Sequence, residues 1–280
     1  MGRGLRVATV TVAVAVATAG AWASTTVPVT AAVHRPARTG YAGTVDGLTR
    51  QPLGSRTSQQ FTSRNWAGYV TYAASHGTDF DVVKATWVQP AVTCEAAGAW
   101  TVFWVGLDGW WDNTVEQGGS SARCSAAGGP ASYALWWEMY PTNAIQTVLA
   151  INVGDTINAS VAYSTSTSVF TIHVKDITTG KGFTRHEMCG GGLICSRSSA
   201  DVITEDVGQF GGGGYFPLAD YGTMGYTNAH ATDITGQLGS ISSRHWLNAA
   251  VTEASGGTTY ATVSPLASRG TAFAVTWQHQ

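Results

Sequence analysis

The stretch YALWWEMYP (Tyr133–Pro141) alternates with a period of two. Leu135, Trp137 and Met139 fall on one face, and Trp136, Glu138 and Tyr140 fall on the other. The first set is a core face. The second is an aromatic surface with a carboxylate at its centre, which is how a cleft on a sheet is lined. A glutamate in such company costs free energy unless it is paired, protonated or at work.

Short alternating stretches of the same kind recur outward from this one, among them NWAGYVTYA, VKATWVQP, WTVFWVGLDG, TVLAINV and TINASVAYS. Turn residues separate them about every ten positions, the signature of an antiparallel sandwich or barrel. TIHVKD and KGFTRH flank Thr178-Thr179-Gly180 as a hairpin. Charged residues make up 11% of the chain and heptads are absent, so the composition favours strands over helices. The expected fold is all-β and forms a single domain over 63–280.

The beginning of the chain reads differently. Arg3 and Arg6 precede an apolar run that ends at Ala21-Trp22-Ala23, the layout of a secretory signal over 1–23. Residues 24–62 are rich in Thr, Ala, Arg, Gly and Pro without apolar periodicity, and read as a propeptide or disordered linker. Six of the 15 basic residues but only one of the 17 acids precede position 64, so the body carries a net charge near −7. That balance leaves no basic footprint for nucleic acid. Arg35, Arg38, Arg50 and Arg56 suggest a cationic leader able to cover an anionic cleft. A secreted, extracellular monomer is expected, with no membrane association once the signal is removed.

Four cysteines, Cys94, Cys124, Cys189 and Cys195, lie in the exported body, where disulfides persist. Cys189 and Cys195 bracket a short Gly-rich loop and Cys94 and Cys124 flank one central segment, which favours these two pairings. No Cys-x-x-Cys or clustered His accompanies them, so no metal and no cofactor are expected.

There is no Gly-x-Ser-x-Gly elbow, no His-Glu-x-x-His, and no Asp-Thr-Gly or Asp-Ser-Gly. In VFWVGLDGWWDNTVEQGGS, Glu116 and Gln117 point to opposite faces, so only one of them can share a cleft with Glu138. Glu116 with Glu138 would be the carboxylate pair of a glycoside hydrolase. Gln117 with Glu138 would be a base plus an amide, suited to water attack on a carbonyl and to steadying the oxyanion. Alternation leaves both open. A non-catalytic carbohydrate-binding domain is the third possibility, since exposed tryptophans would suffice for it.

Taken in order, SRNWAGYV, ATWVQP, FWVGLDG, VEQGG, WWEMYP, GDTINASV, TTGKGFT, SADVITEDV and FPLADYG resemble the glutamic peptidases, the eqolisin or G1 family. The resemblance implies a concanavalin-like jelly-roll sandwich of two antiparallel sheets and an acid endopeptidase acting on proteins or peptides. It implies Gln117 and Glu138 as the catalytic dyad, with Trp66, Trp104 and Asp108 lining the cleft. Periodicity adds Tyr140, and Asp108 is the polar neighbour expected to hold the Glu138 pKa near its ordinary value. The chain departs from the family's Leu-Gln-Thr-Gly context at Gln117, and the match weakens from about residue 223.

Overall fold

The computed structural model describes residues 40–50, 58–73 and 80–279. The expected signal at 1–23, the first part of the expected leader, and Arg35, Arg38 and Arg56 lie outside the described residues.

The strands run β1 (Gly40–Tyr41), β2 (Thr49–Arg50), β3 (Gln59–Ser63), β4 (Trp66–Tyr72), β5 (Phe80–Val88) and β6 (Trp100–Leu107). Next come β7 (Val115–Cys124), β8 (Ala131–Tyr140), β9 (Gln146–Ala150), β10 (Thr156–Ser164), β11 (Val169–Asp176), β12 (Gly182–Glu187) and β13 (Ser199–Asp206). The last are β14 (Gly208–Gln209), β15 (Thr223–Asp233), β16 (Leu238–Ser240), β17 (Leu247–Ser255), β18 (Thr258–Val263) and β19 (Phe273–Trp277). Apart from the 3-10 turn Ser268–Gly270, the described residues contain no helix.

Strand pairing gives two large sheets and a separate two-stranded ribbon, β1–β14. The first has the order β9-β8-β7-β6-β13-β4-β17-β3-β2. The second has the order β12-β11-β10-β5-β15-β19-β18, with β16 as a hairpin on β15. The β17–β18 hairpin carries hydrogen bonding from one sheet into the other. Every pairing is antiparallel except β3 with β17. The all-β two-sheet expectation is met, including the β11–β12 hairpin.

The period of two decides what each face buries. Phe103, Val105, Leu107 and Leu135 of the first sheet meet Val83, Ala85, Trp87 and Ile172 of the second in the main core. Trp87 Nε1 crosses that core to Ser120 Oγ at 2.9 Å, which satisfies a buried indole N–H. The alternate residues of the first sheet, Trp66, Val70, Val102, Trp104, Trp136 and Ile203, form a second apolar cluster on its other face. Full burial of side chains of this size is worth about 1.5–3 kcal/mol each for the aliphatic ones. Leu135 and Met139 thus enter the core with Trp137 packed against it, while Trp136 joins the opposite cluster.

At Gly119 the chain passes so close to β6 that a Cβ would stand 1.9 Å from the Phe103 carbonyl oxygen. Only glycine permits that approach. Disulfides join Cys94 to Cys124 and Cys189 to Cys195, the two pairings expected.

The stretch 24–62, read as a leader outside the fold, is structured wherever it is described. β3 lies beside β17 in the first sheet, β2 pairs with β3, and β1 pairs with β14. Composition missed this because the polar contacts that seat Gly40–Asp46 over Glu138, Gln117 and Glu205 are made by its backbone, and its apolar residues Tyr41, Ala42 and Val45 do not follow a strand period.

Candidate active site

Strands β7 and β8 pair with Gln117 directly opposite Glu138 and Glu116 opposite Met139. Antiparallel partners share a face. Gln117 therefore stands over the second apolar cluster with Glu138, and its Nε2 lies 3.5 Å from Glu138 Oε2. Glu116 belongs to the other face, so the carboxylate pair Glu116/Glu138 does not form.

A third polar residue completes this face. On β13, Ile203 faces the second cluster, and Glu205 follows it at the same period. Its carboxylate accepts hydrogen bonds from Asn65 Nδ2 at 3.0 Å and Trp104 Nε1 at 2.9 Å. Trp104 and Trp66 stack edge to face at 5.1 Å, both fully buried, and form the floor of the site. Tyr140 lies at its rim, where it lines a groove of about 560 Å³ with Asn65, Phe210 and Tyr215.

The segment Gly40–Asp46 crosses this floor in close contact. Ala42 N–H donates to Glu138 Oε2 at 2.9 Å, and Gln117 Nε2 donates to the Ala42 carbonyl oxygen. Gly43 N–H donates to Glu205 Oε1 at 3.0 Å, and the Gly43 carbonyl accepts from Trp66 Nε1 at 3.2 Å. Further along, Asp46 N–H donates to Asn65 Oδ1 at 2.8 Å, and Arg64 N–H donates to the Asp46 carbonyl at 2.8 Å. The side chain of Tyr41 packs on Tyr140, with ring centroids 6.0 Å apart, and stacks on Phe210 at 5.8 Å.

This cover sets the electrostatics. Burial pushes the Glu138 carboxyl well above the usual carboxylate range, the Ala42 N–H pulls it down and the neighbouring Glu205 pushes it up. Burial likewise pushes Glu205 well up, against the donors Asn65, Trp104, the Gly43 N–H and Trp66. The expectation that Glu138 stays near its ordinary value under the influence of Asp108 is corrected: burial dominates, and the acidic neighbour that acts on Glu138 is Glu205. Glu138 Oε1 and Gln117 Oε1 are buried and accept no hydrogen bond from any described residue.

Asp108 belongs to a separate cluster. It ends the β6 segment in the left-handed region (φ 70°), and its carboxylate accepts from Ser198 N–H at 2.7 Å and Thr114 Oγ1 at 3.5 Å. Burial and the neighbouring Asp112 raise it to about 8, against the Arg197 and Ser198 N–H groups. Burial and Asp108 also raise Glu116 well above the usual range. Trp66, Trp104 and Tyr140 thus surround Gln117 and Glu138, whereas Asp108 bonds elsewhere. Sequence reasoning missed Glu205, Asn65, Phe210 and Ala42. The period of two through ADVITEDV could have placed Glu205 beside Ile203; nothing in the sequence marks Ala42.

Three comparisons bear on this geometry. The family model described as "Peptidase A4 family" matches residues 64–277. Among solved structures, scytalido-glutamic peptidase with a transition state analog inhibitor superposes with a TM-score of 0.64 at 22% identity, covering 77% of this chain and 98% of the other. SCP-B, described as a member of the eqolisin family in complex with the tripeptide Ala-Ile-His, gives 0.61 at 22% identity over 77% and 98% of the two chains. Aspergilloglutamic peptidase from Aspergillus niger gives 0.52 at 28% identity, covering 64% and 99%. No curated protein matches the chain. The two-sheet fold is the one these solved structures share, the family match spans most of the described body, and the chain belongs to the Peptidase A4 family as a glutamic-type endopeptidase.

Proposed function

We propose that the protein is a secreted acid endopeptidase in which Glu138 is the general base and Gln117 the oxyanion donor, acting on protein or peptide substrates. The observation that carries the reading is the cross-strand pairing of Gln117 with Glu138 on one face, with an internal peptide lying across both. In this scheme water binds between the two unpartnered acceptors, Glu138 Oε1 and Gln117 Oε1. Ionised Glu138 takes a proton as the water oxygen attacks the scissile carbonyl, and Gln117 Nε2 donates to the oxyanion. Protonated Glu138 then gives its proton to the leaving amine as the C–N bond breaks. A single missing oxyanion donor typically costs 10²–10³ in rate, on the order of 3–4 kcal/mol.

The upward push on Glu138 fits a latent form. While Gly40–Asp46 covers it, the carboxyl is held neutral at acid pH and its Oε2 is occupied by the Ala42 N–H. Once the segment leaves, water reaches Glu138, its pKa falls toward the ordinary range, and an ionised fraction able to act as base becomes available under acid conditions. In this reading the leader acts as a propeptide through the backbone contacts of Gly40–Asp46 over the dyad. Secretion is in keeping with the two disulfides, and no helix among the described residues is long and apolar enough to cross a membrane.

The test is degradation of an acid-denatured protein with pepstatin present, by the wild type and by Gln117→Ala. The wild type is expected to degrade it and Gln117→Ala to lose at least 10²-fold while keeping its circular dichroism spectrum. A Gln117→Ala rate equal to wild type removes the oxyanion assignment.

A further inference from the structure

We propose that the cleft binds a substrate in the register in which it binds Gly40–Asp46, with an aromatic site made by Tyr140 and Phe210 for the residue before the attacked carbonyl. In that register the attacked residue takes the place of Ala42, and Glu205 holds the N–H of the leaving residue where Gly43 lies. The inference rests on the reading of Gln117 and Glu138 as the dyad and deepens it.

The register follows from which backbone atoms face which side chains. In an extended strand the N–H and C=O of one residue point to the same side, and those of its neighbours to the other. Ala42 presents both groups to the dyad: its N–H to Glu138 Oε2 and its carbonyl oxygen to Gln117 Nε2. The Ala42 carbonyl is therefore the one lying on the amide that the scheme assigns to the oxyanion. Tyr41, facing away, pairs with Gly208 in the β1–β14 ribbon, and the Gly40 carbonyl accepts from Ile145 N–H at 3.1 Å. The segment is held on both edges, as an added strand is.

The nitrogen of the Ala42–Gly43 bond is held too. Gly43 N–H donates to Glu205 Oε1 at 3.0 Å. Glu205 is fully buried and oriented by Asn65 and Trp104, so it fixes the leaving side of the scissile amide. The mechanism above gives Glu205 no other task. A carboxyl oxygen that accepts from a backbone N–H does so for any residue except proline, so Glu205 supplies affinity without side-chain choice.

Choice enters at the neighbouring positions. The Ala42 methyl is fully buried within the second apolar cluster, which favours a small side chain at the attacked residue. Tyr41 stands between Tyr140 at 6.0 Å and Phe210 at 5.8 Å. Phe210 is 70% exposed and sits on the Gly-rich turn after β14, so Tyr41 is a main apolar partner for an otherwise solvated ring. A ring of that exposure, aimed at a substrate-like side chain, is a specificity residue.

The hydrolysis balances without any added reagent: the water oxygen bonds to the Ala carbonyl carbon, the C–N bond breaks, and the proton taken by Glu138 passes to the glycine nitrogen. The experiment uses the full chain preincubated at acid pH and two synthetic peptides. One is Gly-Tyr-Ala-Gly-Thr-Val-Asp-Gly, copied from residues 40–47, and the other carries Ala in place of its Tyr. Mass spectrometry locates the cut, and kcat/KM is measured for wild type, Phe210→Ala and Glu205→Gln.

The expected cut in the first peptide is between Ala and Gly, with kcat/KM about fivefold above that of the Ala-substituted peptide. Phe210→Ala is expected to collapse that ratio toward one. Glu205→Gln is expected to lower kcat/KM for both peptides by a similar factor and leave the ratio standing, since it acts on backbone. Cutting at another bond, or an unchanged Tyr/Ala ratio in Phe210→Ala, overturns the register. A wild type that degrades denatured protein but neither peptide also overturns it while leaving the dyad reading intact. A folded wild type that cleaves neither protein nor peptide removes the dyad reading itself.

Discussion

Glu205 shows how a buried carboxylate is accommodated on this sheet. It has no cationic partner among its hydrogen-bond donors; instead neutral N–H groups of Asn65, Trp104 and Gly43 converge on it. Removing one donor leaves buried acceptor capacity unmet, which costs about 1–3 kcal/mol. Trp104→Phe deletes the indole N–H together with half of the buried bicycle, so a loss of at least about 2 kcal/mol is expected in urea unfolding. The loss should grow as pH rises, because an ionised Glu205 depends more on that donor. A loss that is the same at every pH would show that Trp104 contributes packing alone. The pairing of Leu135, Trp137 and Met139 against Trp136, Glu138 and Tyr140 was legible from alternation, because one face of β8 meets the core and the other the cleft. The partner of Glu138 was not legible from alternation alone, because register is set by strand pairing and Gly119's close approach to β6.

At the scale of elements, the two disulfides differ in what they restrain. Cys94–Cys124 spans 30 residues and ties the β5–β6 connection to the end of β7, the strand that carries Gln117. Cys189–Cys195 spans 6 residues in the loop after β12. Chain-entropy reasoning assigns about 3–4 kcal/mol to the first and about 2 kcal/mol to the second. Replacing Cys94 and Cys124 with Ala should therefore lower the unfolding midpoint more than replacing Cys189 and Cys195, as urea denaturation would read; the reverse order would contradict it. Both pairings were legible in the spacing. The strands described within 24–62 were not, since β1 and β2 are two residues each, too short for alternation to show.

For the whole molecule, the buried carboxylates dictate a pH dependence. Asp108 and Glu253 are each raised to about 8 by burial, and Glu116, Asp201, Glu205 and Asp206 are raised well above their ordinary values for the same first reason. A carboxyl whose folded pKa lies above its unfolded value adds stability that is complete below pH ~4 and is lost as pH climbs toward the folded value. Each group that stays protonated in the fold contributes a slope of about 1.4 kcal/mol per pH unit across that window. Thermal melts at pH 3.5 and 7.5 should give the higher midpoint at acid pH; a midpoint that rises toward neutrality would contradict the burial of these groups.

The same molecule should be latent while Gly40–Asp46 covers the dyad. A Cβ at Gly40 would meet Trp100 and Val207 side-chain carbons at 2.5 Å, so Gly40→Val should displace the segment without touching Gln117 or Glu138. At acid pH the wild-type full chain is expected to show a lag before proteolysis and Gly40→Val to show little or none; equal lags would mean that the segment does not govern access. The most direct measurement of the central claim is the hydrolysis rate of one denatured protein at about pH 3.5 by the wild type and by Glu138→Gln, both verified as folded. Loss of at least 10³-fold in Glu138→Gln, with wild-type activity untouched by pepstatin, is the predicted result. Activity in folded Glu138→Gln within tenfold of wild type would contradict it.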